Sequence, residues 1–194
     1  MARFPFFFVA AFLVTVGLIG IALLPLRTRP IIAVEARVDS GALIIDGAAL
    51  SNIRSARGFP VTPAPGPRGD QSGPRLASVS ALAPGAQFSK GARLTLGPGT
   101  LAALLGKPFV VTITARAVAN TPAQKMGFGL VSGGPIAWGQ IDVSPTFSPL
   151  QFELPASTQP ITGLAIWPAI EGQGHGIEIQ SITLQPLPSN NVTQ

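Results

Sequence analysis

The residues best suited to recognition chemistry lie late in the chain, in the run Trp138-Gly139-Gln140-Ile141-Asp142. On a β-strand, side chains at period two share a face, so Trp138, Gln140 and Asp142 would stand together. An indole face stacks on apolar C–H surfaces such as those of a sugar ring, and an amide and a carboxylate beside it bond hydroxyl groups. A second tryptophan, Trp167, precedes Pro168 and the glycine-rich turn EGQGHG, which carries the only histidine, His175. The candidate ligand set is therefore Trp138, Gln140, Asp142, Trp167 and His175. Either tryptophan can equally be a core filler, the usual role of a tryptophan in a β-sandwich.

Catalysis has little to draw on. The chain holds eight acids, one histidine, no cysteine and no tyrosine. Without cysteine there are no disulfides, thiolate metal sites or cysteine nucleophiles. No G-x-S-x-G elbow accompanies His175. Gly172, Gly174 and Gly176 precede a strand pattern rather than a helix, so they cannot cradle a phosphate at a helix start. Asp142, Glu153, Glu171 and Glu178 fall in separate strands or loops and read as solvated surface acids, not as a paired glycosidase site. No His or carboxylate cluster has metal-ligand spacing, which leaves only a calcium held by backbone carbonyls, a site that sequence does not reveal. The expectation is no enzyme, no catalytic residue, no cofactor and no metal site. Arg68-Gly69-Asp70 reads as a chance tripeptide, and Asn191-Val192-Thr193 fits a glycosylation acceptor.

Charge is unevenly spread. All 13 basic residues lie in 1–125 with four acids, a net of +9, while 126–194 carry four acids and no basic residue, a net of −4. The basic half suits an anionic lipid surface or an acidic polymer. Its lysines and arginines are dispersed and lack the aromatic interleaving of a nucleic-acid groove, so no nucleic-acid partner is expected despite a pI of about 11.1.

Phe4 to Leu26, FPFFFVAAFLVTVGLIGIALLPL, has no charged residue. As a helix it would span about 34 Å, enough to cross a bilayer, and it has no polar face to leave in water. It exceeds a signal-peptide core, and the flank Leu26-Arg27-Thr28-Arg29-Pro30 offers no small-residue cleavage site. Residues 4–26 thus read as an uncleaved transmembrane anchor in contact with membrane lipid. Arg27 and Arg29 would place the C-terminal side in the cytoplasm. The three-residue leader and the Ser/Thr/Gly-rich remainder favour export, and an exported domain, periplasmic or extracellular, is the reading adopted.

After the anchor and its flank (1–30), the sequence predicts one β-sandwich over 31–187 and a flexible tail over 188–194. Gly and Pro together exceed a fifth of the chain, charged residues are only 11%, and short apolar runs alternate with turn residues. Leu43–Ile45 reads as a strand closed by an Asp46-Gly47 hairpin signal. Residues 57–74, dense in proline and glycine, read as a long exposed loop or hinge. Arg75–Ser80, Ala92–Leu96, Phe109–Val118, Lys125–Val131, Ile136–Val143, Pro149–Leu154, Ile161–Trp167 and Gly176–Leu184 read as strands, with helical turns over Thr100–Gly106. Alternation along the last strand flips near Ser181, where a bulge or burial on both faces is expected.

The C-terminal third runs FSPLQFELPA at 147–156, GLAIWPAI at 163–170 and GIEIQSITLQPL at 176–187, with FVVTITARAVA at 109–119 upstream. In that order these segments resemble the galactose-binding-domain-like, or jelly-roll carbohydrate-binding-module, family. The resemblance is a pattern of strand and turn types and carries no binding-site motif. It implies an all-β jelly-roll sandwich that binds or packs rather than catalyses. The family often binds saccharides on aromatic platforms and sometimes holds a structural calcium. Two functions follow: a membrane-anchored module for an envelope or exported polysaccharide, or a structural subunit whose sandwich docks on a membrane-protein partner.

Overall fold

The strongest alternation in the chain, Phe109–Ala117, is a strand whose odd-numbered residues are all buried and whose even-numbered ones are half exposed. In the computed structural model, which describes residues 12, 14, 15, 32–54, 59–65, 71–78, 91–170 and 174–187, it is one of eleven strands. They are β1 (Arg37–Asp39), β2 (Ala42–Asp46), β3 (Val61–Pro65), β4 (Gln71–Ser78), β5 (Ala92–Thr95), β6 (Phe109–Ala117), β7 (Lys125–Val131), β8 (Gly139–Asp142), β9 (Ser148–Leu154), β10 (Gly163–Trp167) and β11 (His175–Pro186). Two short helices join them, α1 (Gly47–Leu50) and α2 (Pro98–Leu104).

The strands form a seven-stranded and a four-stranded antiparallel sheet. In the larger sheet β11 is central: β6 and then β9 lie on one side, and on the other its two halves take β2–β1 and β4–β3. Directly paired residues share a face, which gives inward rows Leu43–Leu184–Val111–Phe152 and Ile45–Ile182–Ile113–Leu150. The smaller sheet, ordered β5-β10-β7-β8, turns Leu94, Leu164, Ala92, Ile166 and Phe128 toward them. Phe128 and Phe152 meet across the gap with ring centres 5.3 Å apart. The inward rows are buried, and apolar burial at roughly 25 cal/mol per Å2 is what holds the two sheets together. The all-β sandwich expected from the sequence is present.

Three local expectations are corrected. Residues 57–74 are not one loop: β3 lies within them, β4 begins there, and Phe59 is completely buried. Proline tolerates this because β3 is an edge strand, and Pro74 falls one position beyond the stretch of β4 that pairs with β11. Asp46-Gly47 makes no hairpin and opens α1 instead. The hairpin lies earlier, where Ser40 (φ 49°) and Gly41 (φ 83°) join β1 to β2 with two left-handed residues, the two-residue turn that matches strand twist. Ile136–Trp138 is irregular rather than strand, and β8 starts only at Gly139. The flip near Ser181 is a bulge, since the register with β6 shifts between Ile179 and Ser181.

The chain divides into two compact units, 1–31 and 32–194. In the first, Phe12, Val14 and Thr15 are helical and exposed. Among the described residues no helix is long and apolar enough to cross a membrane. The remainder of the expected span 4–26 lies outside the described residues, as do Arg68-Gly69-Asp70 and the tail from 188 onward.

Candidate functional site

The middle of the outer face of the four-stranded sheet is built from small residues. Gly163, Ala165, Gly127 and Gly129 point away from the core and are buried, the last two beneath Trp138 and the Ile136–Ala137 segment. A β-carbon on Gly129 would run into Ile136 and the Ala137 carbonyl, so glycine there is what lets the 135–138 segment lie on the sheet. A β-carbon on Gly127 would sit 3.2 Å from both the Trp138 ring and the Trp167 Cβ. Trp138 is thereby seated on the sheet, half buried, edge to face with Trp167 at 5.6 Å and 87°.

Trp167 has no face left for a ligand. It is 0% exposed, its ring meets Phe59 at 4.7 Å, and its indole N–H donates to the Ala169 carbonyl at 2.9 Å. Of the two roles open to it, it takes the core one, and its place in the ligand set is corrected on that ground. Gln140 and Asp142 do stand where the period-two argument puts them. They pair with Gly127 and Lys125 on the outer face, and both are exposed. The Lys125 ammonium lies 3.9 Å from Asp142, and Lys125, Gln140, Ile141 and Asp142 line a shallow cleft of about 240 Å3. His175 is on the other sheet, paired with Ser78, with Nδ1 2.7 Å from the Pro122 carbonyl oxygen. The structure thus brings Trp138, Gln140 and Asp142 to one face and separates His175 from them.

Two charged clusters were not legible in the sequence. The first lies on the outer face of the larger sheet, before the bulge. Glu178 pairs with Arg75 on β4 and Arg116 on β6, partners 103 and 62 residues away. Arg75 donates to Oε1 through Nε (3.1 Å) and Nη2, and Arg116 donates to Oε2 through Nε (2.8 Å), with its Nη2 in ion-pair contact with the same oxygen at 2.7 Å. The Glu178 side chain is only 4% exposed. Burial pushes its carboxyl up, but the hydrogen bonds and positive charges of the two arginines outweigh this and hold it below its usual range. Arg116 also stacks on Phe147, 4.5 Å from the ring centre. The one sequence signal was Glu178 set between Ile177 and Ile179 in β11, where the sequence reads it as a solvated surface acid.

In the second cluster, Glu35 reaches α2. Its carboxylate accepts from the Gly99 N–H (3.1 Å), the Thr100 N–H (2.9 Å) and the Thr100 hydroxyl (3.0 Å). The backbone bonds to Gly99 and Thr100 lower its pKa most. A β-carbon at Gly97 would collide with this carboxylate. The helical turns expected over Thr100–Gly106 start two residues earlier, at Pro98, so Thr100 is inside the first turn and the cap comes from a side chain over sixty residues away.

Among the described residues no group of three or more His, Asp or Glu could hold a metal ion. Geometrically, then, the chain is a two-sheet β-sandwich with one aromatic-polar face and one arginine-carboxylate cluster. No protein-family model matches it, and no curated protein does. Solved structures similar to it are carbohydrate-binding modules. The tandem CBM22-1-CBM22-2 domain of Paenibacillus barcinonensis Xyn10C aligns at 11% identity over 79% of this chain and 49% of that one, with TM-score 0.49. Its xylan-binding CBM22-1 domain aligns at 11% over 70% and 86%, with TM-score 0.47. A CBM36-1 domain of a multidomain xylanase, from the hindgut metagenome of Trinervitermes trinervoides, aligns at 12% over 76% and 98%, with TM-score 0.45. The sandwich assignment for this chain stands on its own strand pairing.

Proposed function

We propose that this protein is a non-catalytic, polysaccharide-binding module, tethered to a membrane by residues 4–26 with its sandwich exported. One observation carries the binding reading: Trp138, Gln140 and Asp142 share the outer face of the four-stranded sheet, with the two polar side chains exposed beside a half-buried indole. That combination offers a saccharide an apolar edge to rest on and an amide and a carboxylate for its hydroxyls. The apolar run of residues 4–26 supports the tether.

The burial of Trp167 favours a second reading, a structural subunit that docks on a membrane-protein partner, because it removes one of the two expected platforms. A glycan array probed with the full chain in neutral detergent separates the two. Saturable binding that Trp138→Ala abolishes, with melting behaviour retained, supports the module. No binding from the folded protein leaves the subunit reading ahead. Alkaline extraction and protease accessibility of intact cells test the tether and the export.

A further inference from the structure

We propose that the Arg75–Glu178–Arg116 cluster is a second ligand site, one that takes the carboxylate of an acidic saccharide. It is on the opposite sheet from Trp138 and stands on separate observations.

Each guanidinium spends Nε and Nη2 on Glu178. Neither Nη1 has a hydrogen-bond partner among the described residues, although both side chains are over 40% exposed. One buried carboxylate thus fixes two forked donors and neutralises half their charge, leaving +1 at the surface. Fixing matters energetically, because an arginine already immobilised loses less freedom when a ligand arrives. Phe147 restrains Arg116 further by covering its guanidinium. A cleft of about 170 Å3 opens here, lined by both arginines, Glu178 and the 117–120 turn with Asn120 at its rim. That volume is below the roughly 300 Å3 at which pockets begin to enclose a whole small ligand, so it suits one anionic group of a longer molecule.

The surroundings choose the kind of molecule. Beyond the cluster the same face carries Thr114 paired with Ser181, Thr112 paired with Thr183, and exposed Gln151 opposite Thr112. At the far end of these rows lie Ile44 and Asp46, the latter held by Arg37 at 3.6 Å. A row of hydroxyls and an amide suits a chain of sugar hydroxyls. It offers little of the apolar pocketing that anchors a peptide's side chains.

The test uses the full-length protein in neutral detergent, titrated with trigalacturonate, its methyl ester and triglutamate. The expected result is binding of trigalacturonate that weakens with salt, with the ester and the peptide at least tenfold weaker. Arg116→Gln and Arg75→Gln should each weaken it about tenfold or more, in line with losing a charge-assisted hydrogen bond. Asn120→Asp, a change at an exposed turn that leaves the sheet alone, should weaken it by charge repulsion even if the arginine variants fail to fold. Lys107→Gln, the loss of an exposed cation away from the cluster, should leave this affinity unchanged. Binding lost in Trp138→Ala and kept in the folded arginine variants would belong to the Trp138 face and overturn the proposal. No trigalacturonate binding, equal binding of the ester or of triglutamate, or undiminished binding by folded Arg116→Gln and Asn120→Asp overturns the proposal.

Discussion

The Glu35 carboxylate accepts a hydrogen bond from the Thr100 backbone N–H at 2.9 Å, across 65 residues of sequence. Unmet N–H groups at a helix start are commonly capped by the residue just before it. Here that residue is Gly97, which has no side chain to do so and leaves room for one that does. The Thr100 hydroxyl in turn accepts from the Ala36 N–H at 2.8 Å, so the two segments cap each other.

Glu35→Ala should therefore lower the melting temperature and fray α2, read as faster amide exchange at Gly99 and Thr100. Gly97→Ala should lower it as well, by forcing the carboxylate out. Unchanged exchange in Glu35→Ala would show that the cap contributes nothing.

Acid should destabilise the sandwich through two carboxyls. Glu35 and Glu178 are both held below the ordinary value of 4.5. Groups depressed on folding add stability above their unfolded pKa, and it is lost as pH falls through the folded one. Melting temperature should be flat above about pH 5 with respect to these groups and fall below about pH 4.5. Glu178→Gln should flatten part of that fall, and an acid limb unaltered in the variant would count against the assignment.

At neutral pH Glu178→Gln should cost about 1–2 kcal/mol. Leaving buried partners uncompensated costs more in general, but Arg75 and Arg116 are half exposed and water screens them. Urea denaturation of the wild type and variant measures the difference.

Trp167→Ala and Trp138→Ala should part company. The first empties a closed site against Phe59 and should cost about 3–5 kcal/mol. The second removes a half-exposed ring and should cost less, while abolishing glycan binding. Equal destabilisation by the two would mean that Trp138 is core as well.

Gly129→Val should drive the 135–138 segment off the sheet, costing about 1–3 kcal/mol as overpacking does. Quenched or shifted Trp138 emission would report the displacement, and an unaltered spectrum would argue against the seat.

What the sequence made legible is what simple periodicity encodes. The β6 alternation set its burial residue by residue, and the flip in β11 located the bulge at Ser181. Gln140 and Asp142 share a face by the same period-two rule, whereas Trp138 precedes β8 and reaches that face by lying over Gly127. What escaped depends on tertiary neighbours. Proline content argued against strands at 61–65 and 71–74, yet an edge position makes the missing N–H harmless. Nothing local told Trp167 from Trp138, because the difference is Phe59, more than a hundred residues earlier. The Arg75–Glu178–Arg116 row exists only once three strands are in register.

The junction at Val34 has a mechanical meaning. Val34 donates to the Thr95 carbonyl at 2.9 Å and accepts from the Gly97 N–H at 2.8 Å, in a bridge parallel to Leu96. Tension entering from residues before 34 and directed along that strand meets these bonds and the Glu35 cap in shear. They must yield together instead of unzipping one at a time. Pulling on a single molecule from its N-terminus should therefore show a distinct first rupture, at a force that Glu35→Ala lowers.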